Sequence, residues 1–157
     1  MNSTLIRVVV AVAALLISLT TAGAAQPKKK LNPNDPSTLY NRLGGKAAIT
    51  AVVDSTVAYI AADERINGFF VGTVTEGRIP ALKVKLVDQI CEATGGTCKY
   101  KGKNMKKAHK GMSLKHEHFT AFVEDLVKAL DHFKVPAKEK SELLAALGTM
   151  ESQMLGR

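Results

Sequence analysis

Wherever apolar residues recur along this chain with a clear period, the period is the helical one. Ile49, Val52, Val53, Val57 and Ile60 step by three and four residues between Lys46 and Asp63, the spacing that lines one face of a helix. Leu82, Leu86, Val87, Ile90 and Cys91 repeat it after Pro80, and proline fits a first helical turn because the N–H it lacks would have no helical partner there. Gly95 and Gly96 close that helix, since glycine takes up the left-handed conformation of a helix end. The strongest stripe is Phe119, Phe122, Val123, Leu126, Leu130 and Phe133; Pro136 opens a fourth with Leu143, Leu144, Leu147, Met150 and Met154. No alternating run is long enough for a sheet strand, and no segment repeats. The fold class is therefore predicted to be all-α, with about four main helices and two or three short ones, "STLYNRL" leading.

The stripes begin late in the chain. Residues 1–25 hold one basic residue, Arg7, then "VVVAVAALLIS" and the small-residue exit "TTAGAA", which is the pattern of a cleaved secretory signal. The apolar run is short for a membrane span of about 20 residues; an uncleaved anchor is the alternative. Residues 26–36, rich in proline and lysine, read as a flexible linker. Residues 37–157 then make one domain, large enough for a single core. Loss of residues 1–25 takes away only Arg7, so 21 basic against 14 acidic side chains leave a charge of +7. That charge favours anionic partners, while an exported location, periplasmic or extracellular, argues against nucleic acid.

Between Gly95 and Leu114 the helical order lapses. The segment "GGTCKYKGKNMKKAHKGMS" is rich in glycine and lysine and is predicted to hold at most one short helix, near Met105 to His109. A loop this long inside a small domain is usually functional or mobile. Cys91 and Cys98 frame its start. In an oxidising compartment the pair could close a disulfide across the Gly-Gly turn; two free thiols are the alternative, and the spacing is not that of a zinc site. Of the four histidines, His116, His118 and His132 fall off the apolar face of the third stripe and read as solvated helix residues. His109 differs, because it ends a short turn and precedes a glycine inside the lysine-rich loop. By itself a lone histidine of this kind is more often structural than a ligand.

The motifs taken in order resemble the group I truncated haemoglobins. "LYNRLGGKAAITAVV", "ADERINGFF", "ATGG" and "MKKAHKG" before the helix carrying "HF" span nearly all of residues 37–157. The resemblance implies a two-over-two helical sandwich holding one haem b, with His109 as the proximal iron ligand. It places Phe70 against the porphyrin plane, and Met105 and Phe119 on the proximal side. Chemistry agrees, since a neutral imidazole nitrogen binds haem iron when a carbonyl at a helix end orients the other ring nitrogen. Lys106, foremost among six lysines in residues 99–110, and Tyr100 are candidates for the haem propionates.

One departure from the family pattern bears on function. Counting from "LGG", the second-helix position that usually bears a tyrosine donating to the bound gas is Val57, and Tyr59 lies about 200° away round the helix. The facing helix offers Leu82, Leu86 and Ile90, so the distal wall reads as apolar. A hydrogen bond to a charged group is worth about 1.5–3 kcal/mol, so oxygen should leave about ten- to a hundredfold faster than from tyrosine-bearing relatives, with carbon monoxide much less affected. "VGTVTEGRIP" is some four residues longer than usual there, which puts the register of that helix at stake. The resemblance implies reversible binding of dioxygen or another diatomic gas such as nitric oxide or carbon monoxide, with a redox partner that the sequence does not identify. Enzymatic oxidation of nitric oxide is the variant. A haem-free helical module that meets an anionic surface through its lysine loop is the rival.

Overall fold

In the computed structural model, which describes residues 35–157, the apolar stripes become helices in the expected places. A short α1 (Leu39–Arg42) precedes α2 (Gly45–Ala62), a 3₁₀ turn (Asn67–Phe70), α3 (Val71–Thr75), α4 (Ile79–Ala93), α5 (Met105–Ala108), α6 (His116–His132), α7 (Ala137–Gly148) and α8 (Glu151–Met154). The predicted leader and all but the last two residues of the predicted linker lie outside the described residues. No strand occurs among the described residues, and none of their helices is long and apolar enough to cross a membrane.

The centre of the fold is α2, which packs against both α4 and α6. It can do so because its apolar residues cover more than one face. Val52 meets Leu126, Ala129 and Leu130 of α6 and Leu143 of α7, whereas Ile49 and Val53 meet Val87 of α4. A third cluster joins Ile60 to Ile66 and Ala121, flanked by Phe69, Phe70 and Phe122. The α2–α4 pair thus lies over the α6–α7 pair, a two-over-two sandwich. Burying one side chain such as Leu130, 1% exposed, stabilises the fold by about 1.5–3 kcal/mol.

Charges fasten the periphery. Arg42 of α1 reaches Glu139 at 3.0 Å and also pairs with Glu142, both on α7; Lys46–Asp88 at 3.2 Å and Lys83–Asp54 at 2.9 Å link α2 to α4. The guanidinium of Arg42, by hydrogen bonding, holds the buried Glu139 carboxyl below the usual carboxylate range.

Four expectations need amendment. The short elements number four α-helices and a 3₁₀ turn among the described residues, more than predicted, because single turns at 67–75 and 151–154 carry too few residues for a period to show. The fourth stripe is broken: α7 stops at Gly148, a weak helix former, and Thr149 Oγ1 donates back to Ala146 O at 2.7 Å before α8 begins. Phe133 is exposed beyond the end of α6, with His132 edge-on to its ring. The cysteines, left open by sequence, form a Cys91–Cys98 disulfide.

Candidate functional site

His109 sits where the short helix α5 ends. Asn104 starts that helix, its side-chain oxygen accepting the Lys107 N–H at 2.9 Å, as a good N-cap residue does. One turn later His109 is the C-cap, with its backbone N–H on Met105 O at 3.1 Å. Its ring Nδ1 also lies 2.8 Å from Met105 O. A carbonyl oxygen only accepts, so Nδ1 is the donor, and in the neutral imidazole Nε2 is then the nitrogen with the lone pair. The half-buried imidazole is thereby fixed in orientation and tautomer with its far nitrogen available, which is how a metal-ligating histidine is prepared. After it the chain turns through Gly111, φ +85°, with Met112 N–H on His109 O at 3.2 Å.

Several ties hold this segment to the scaffold. Helix α5 packs on α8, and the Gln89 amide of α4 lies 3.5 Å from Met105 Sδ and 3.4 Å from Met150 Sδ. Ser113 N–H donates to Arg157 O at 2.7 Å and Gly156 N–H to Leu114 O at 2.9 Å, pairing the stretch after His109 with the residues after α8. At the other end the disulfide fixes Cys98 to the wholly buried Cys91 on α4. Gly95 takes φ +90° there, and at Gly96 a Cβ would stand 2.5 Å from Cys91 Sγ and 2.8 Å from the Tyr40 ring. Only glycine lets the chain pass so close to the bridge. Glu92 adds a clasp, accepting the Tyr100 N–H at 3.0 Å and Lys99 Nζ at 3.3 Å. The Tyr100 backbone hydrogen bond, then that from Lys99, keeps the Glu92 carboxyl below its usual range.

The residues expected to form the distal wall lie on α2 and α4. Val57 of α2 lies with Leu86 and Ile90 of α4 against the cluster built on Val53 and Val87. Leu82 stands one turn earlier on α4, half-buried like Leu86. Tyr59, by contrast, packs against the cluster of Leu126 and Leu130, on a different side of α2 from Val57. It offers the distal wall no hydroxyl in this arrangement. Phe70 belongs to the third cluster beside Phe69 and Phe122, and Phe119, half-buried, is one turn before Phe122 and Val123 on α6.

Elsewhere the chemistry is plainer. Lys106 is exposed in the last turn of α5. Of the six loop lysines only Lys99 has a carboxylate partner among the described residues. Tyr100 donates its hydroxyl proton to Lys103 O at 2.7 Å, and burial pushes the phenol pKa upward. His116 pairs through Nδ1 with Glu151 Oε1, His118 stacks edge-on against Phe69, and no metal-ligand cluster of His, Cys, Asp or Glu occurs among the described residues.

Sequence reasoning passed over Gln89, which meets Met105 of the His109 helix, and Met150, which meets Gln89. Gln89 did leave a signal: a polar residue three places after Leu86 and seven after Leu82 falls on the apolar stripe of α4. Met150 left none, because its place in the fourth stripe pointed to the core.

The chain is similar to known proteins over nearly all of its described residues. Residues 38–156 fit the family described as bacterial-like globin. The chain is 33% identical over 120 residues to the group 1 truncated haemoglobin GlbN of Mycolicibacterium paratuberculosis, covering 76% of this chain and 85% of that one. It is 36% identical over 116 residues to the group 1 truncated haemoglobin GlbN of a Synechocystis species, covering 71% and 90%. Among solved structures, the Fe(III) truncated haemoglobin of Tetrahymena pyriformis superposes with a TM-score of 0.72 at 34% identity, over 76% of this chain and 99% of that one. The 2/2 haemoglobin of a Synechococcus species, in the cyanomet state with covalently attached haem, gives 0.70 at 31% identity, over 77% and 100%.

Proposed function

The chain belongs to the bacterial-like globin family, among the group 1 truncated haemoglobins, and from that premise we propose that it binds one haem b through His109 and a diatomic gas on the opposite face. The observation that carries the proposal is the 2.8 Å contact between His109 Nδ1 and Met105 O, which orients the ring and, in the neutral imidazole, makes Nε2 the lone-pair nitrogen. The residues present fit the group: an imidazole of the right tautomer, with half-buried apolar side chains at Met105, Phe70 and Phe119 to meet a porphyrin. When bound, haem would supply an iron centre that the His109 imidazole would hold and that would take up a diatomic gas.

This chain's own residues do the rest. Met105 O and the packing of α5 on α8 hold the imidazole at a set angle. Val57, Leu86 and Ile90 exclude water and give the gas no hydrogen-bond donor. Such a wall suits nitric oxide and carbon monoxide, which gain little from a donor, and shortens the stay of dioxygen, which carries partial negative charge when held. Nitric oxide oxidation, which needs oxygen to remain until nitric oxide arrives, is correspondingly disfavoured against simple gas binding. Exposed Lys106 would meet a propionate, a contact of at most about 1 kcal/mol, and so would orient haem rather than retain it. An oxidising compartment is part of the proposal, supported by the basic, apolar and small-residue start of the sequence and by the Cys91–Cys98 bridge.

Titrating haemin into the purified chain tests the reading. We expect one equivalent per chain, an intense Soret band, and reversible binding of carbon monoxide and dioxygen after reduction. A chain that takes up no haemin would favour the haem-free interaction module.

A further inference from the structure

We propose that the lysine-rich segment around α5 is a docking surface for the acidic face of a protein that delivers single electrons to this chain. The charge of the segment is set apart from that of the rest of the molecule. Residues 99–115 hold 7 lysines and no acidic residue, whereas the other described residues hold 11 basic and 14 acidic side chains. The positive excess of the domain therefore lies wholly in this segment, and the remainder is net negative. A molecule polarised in that way turns its basic side toward an acidic partner during approach.

The charges are also crowded and largely unmatched. Lys106 and Lys107 stand in the single turn of α5, Lys103 comes just before its cap and Lys110 just after its end, so four like charges belong to a stretch built on one turn about 6 Å long. Lys99 and Lys115 have carboxylates, Glu92 at 3.3 Å and Glu117 at 3.4 Å. Lys101, Lys103, Lys106, Lys107 and Lys110 are exposed, with no carboxylate partner among the described residues. A free loop would relieve their repulsion by spreading. This one is pinned by the Cys91–Cys98 bridge, by the Tyr100 hydroxyl on Lys103 O at 2.7 Å and by the Asn104 cap, and so presents its ammonium groups from a fixed backbone.

The same features select the partner. The segment contains no arginine, the side chain that grips phosphate with two parallel hydrogen bonds, so carboxylates suit it better than a phosphate-rich surface. It exposes no large apolar side chain either; the exposed Val71, Val74, Val84 and Phe133 all lie elsewhere in the chain. Charge without an apolar centre gives fast, short-lived association, and small interfaces of that kind are the ones electron-transfer proteins use. His109, half-buried, comes between Lys107 and Lys110 in the chain, so a protein seated here meets the residue proposed to hold iron. The need for electrons follows from the wall of Val57, Leu86 and Ile90. With no donor to steady bound dioxygen, iron there oxidises, and ferric iron takes neither dioxygen nor carbon monoxide. One electron passes from the partner's carrier to ferric iron, with no bond made or broken. That role rests on the haem reading; the docking surface itself does not.

The test takes an acidic flavodoxin as the probe. Docking is read with its oxidised form by backbone-amide NMR shifts of the full chain, before haemin is added and again in the carbonmonoxy state. We expect shifts centred on residues 101–110 that fade as salt rises from about 20 to about 500 mM, where screening reaches to within a few Å of each charge. Electron delivery is read by stopped flow, as reduction of the ferric, haemin-loaded chain by flavodoxin hydroquinone. At low salt Lys103→Glu with Lys107→Glu should slow it by at least about tenfold, while Lys134→Glu with Lys138→Glu, an equal change of charge at exposed lysines outside the segment, should alter it by less than about twofold. Lys101→Glu with Lys110→Glu, which leaves α5 untouched, decides the matter if the first pair disturbs that helix. No shifts, shifts spread over the whole surface, or equal slowing by the inside and outside pairs would overturn the docking surface. Adsorption to phosphatidylglycerol vesicles that the Lys103 and Lys107 changes abolish, with no flavodoxin shifts, would overturn the protein partner in favour of a membrane. Haem uptake is read separately by the Soret band, so docking by a chain that takes up no haemin would keep the surface and overturn only the electron-transfer role.

Discussion

The two sides of the proposed gas site are secured by different means. On the distal side, Val57, Leu86 and Ile90 ride on α2 and α4, helices of 18 and 15 residues packed through wholly buried neighbours such as Val53 and Val87. On the proximal side, His109 ends a four-residue helix in a segment with almost no buried apolar side chain. That segment is held by a disulfide, an asparagine cap, the Glu92 clasp and two backbone bonds to residues 156–157. A four-residue helix has no stability of its own. The difference teaches that burial positions the wall, whereas discrete covalent and hydrogen-bond ties position the ligand.

The contrast can be broken from either side. Leu130→Ala removes a nearly inaccessible side chain and should cost about 2–5 kcal/mol, seen as a lower denaturant midpoint with the whole domain unfolding together. Cys91→Ser with Cys98→Ser opens a short loop and should cost about 2–3 kcal/mol. Here the far-UV helix signal should persist while amide exchange quickens across residues 99–110. If exchange quickened equally in α2 and α6, the segment would not be the separately fastened unit described above.

Changing the distal wall sharpens the same contrast. Val57→Tyr places a donor where the wall has none and should slow oxygen dissociation by about ten- to a hundredfold, from a bond worth about 1.5–3 kcal/mol, with little change for carbon monoxide; stopped-flow ligand replacement measures both. Asn104→Ala removes the cap of α5 and should cost about 1 kcal/mol. Its effect should appear as weaker haemin retention more than as a lower global midpoint.

Acid acts on both sides. Asp63 is held down to about 2 from an ordinary 3.8, chiefly by the Arg65 guanidinium, and Glu139 and Glu92 are lowered by Arg42 and by the Tyr100 N–H. Groups with depressed native pKa values stabilise the fold fully above their ordinary values and lose that contribution as pH falls through the native ones. Stability should therefore hold steady at neutral pH and decline below about pH 5, and a pH series of chemical denaturation checks it. A protein whose stability rose on acidification would contradict the sign.

Legibility in the sequence followed burial. Stripes such as Ile49, Val52, Val53, Val57 and Ile60 announce α2 because a long helix with buried faces must repeat its apolar residues. The family motifs added His109, whose bond to a helix-end carbonyl the structure then displays. Single-turn helices left no period, so α3 and α8 were not foreseen, and the break at Gly148 was hidden by apolar residues continuing to Met154. The disulfide depends on where a helix end places Cys91 relative to a turn, which spacing alone does not determine.

The most direct measurement is the Soret band of the haemin-loaded chain in wild type and in His109→Gly, with and without free imidazole. Wild type should show an intense band at one haem per chain; the variant should lose it or show a shifted, labile one, and added imidazole should restore the wild-type position. A His109→Gly protein whose spectrum and haem retention match wild type without imidazole would contradict the assignment of His109 as the iron ligand.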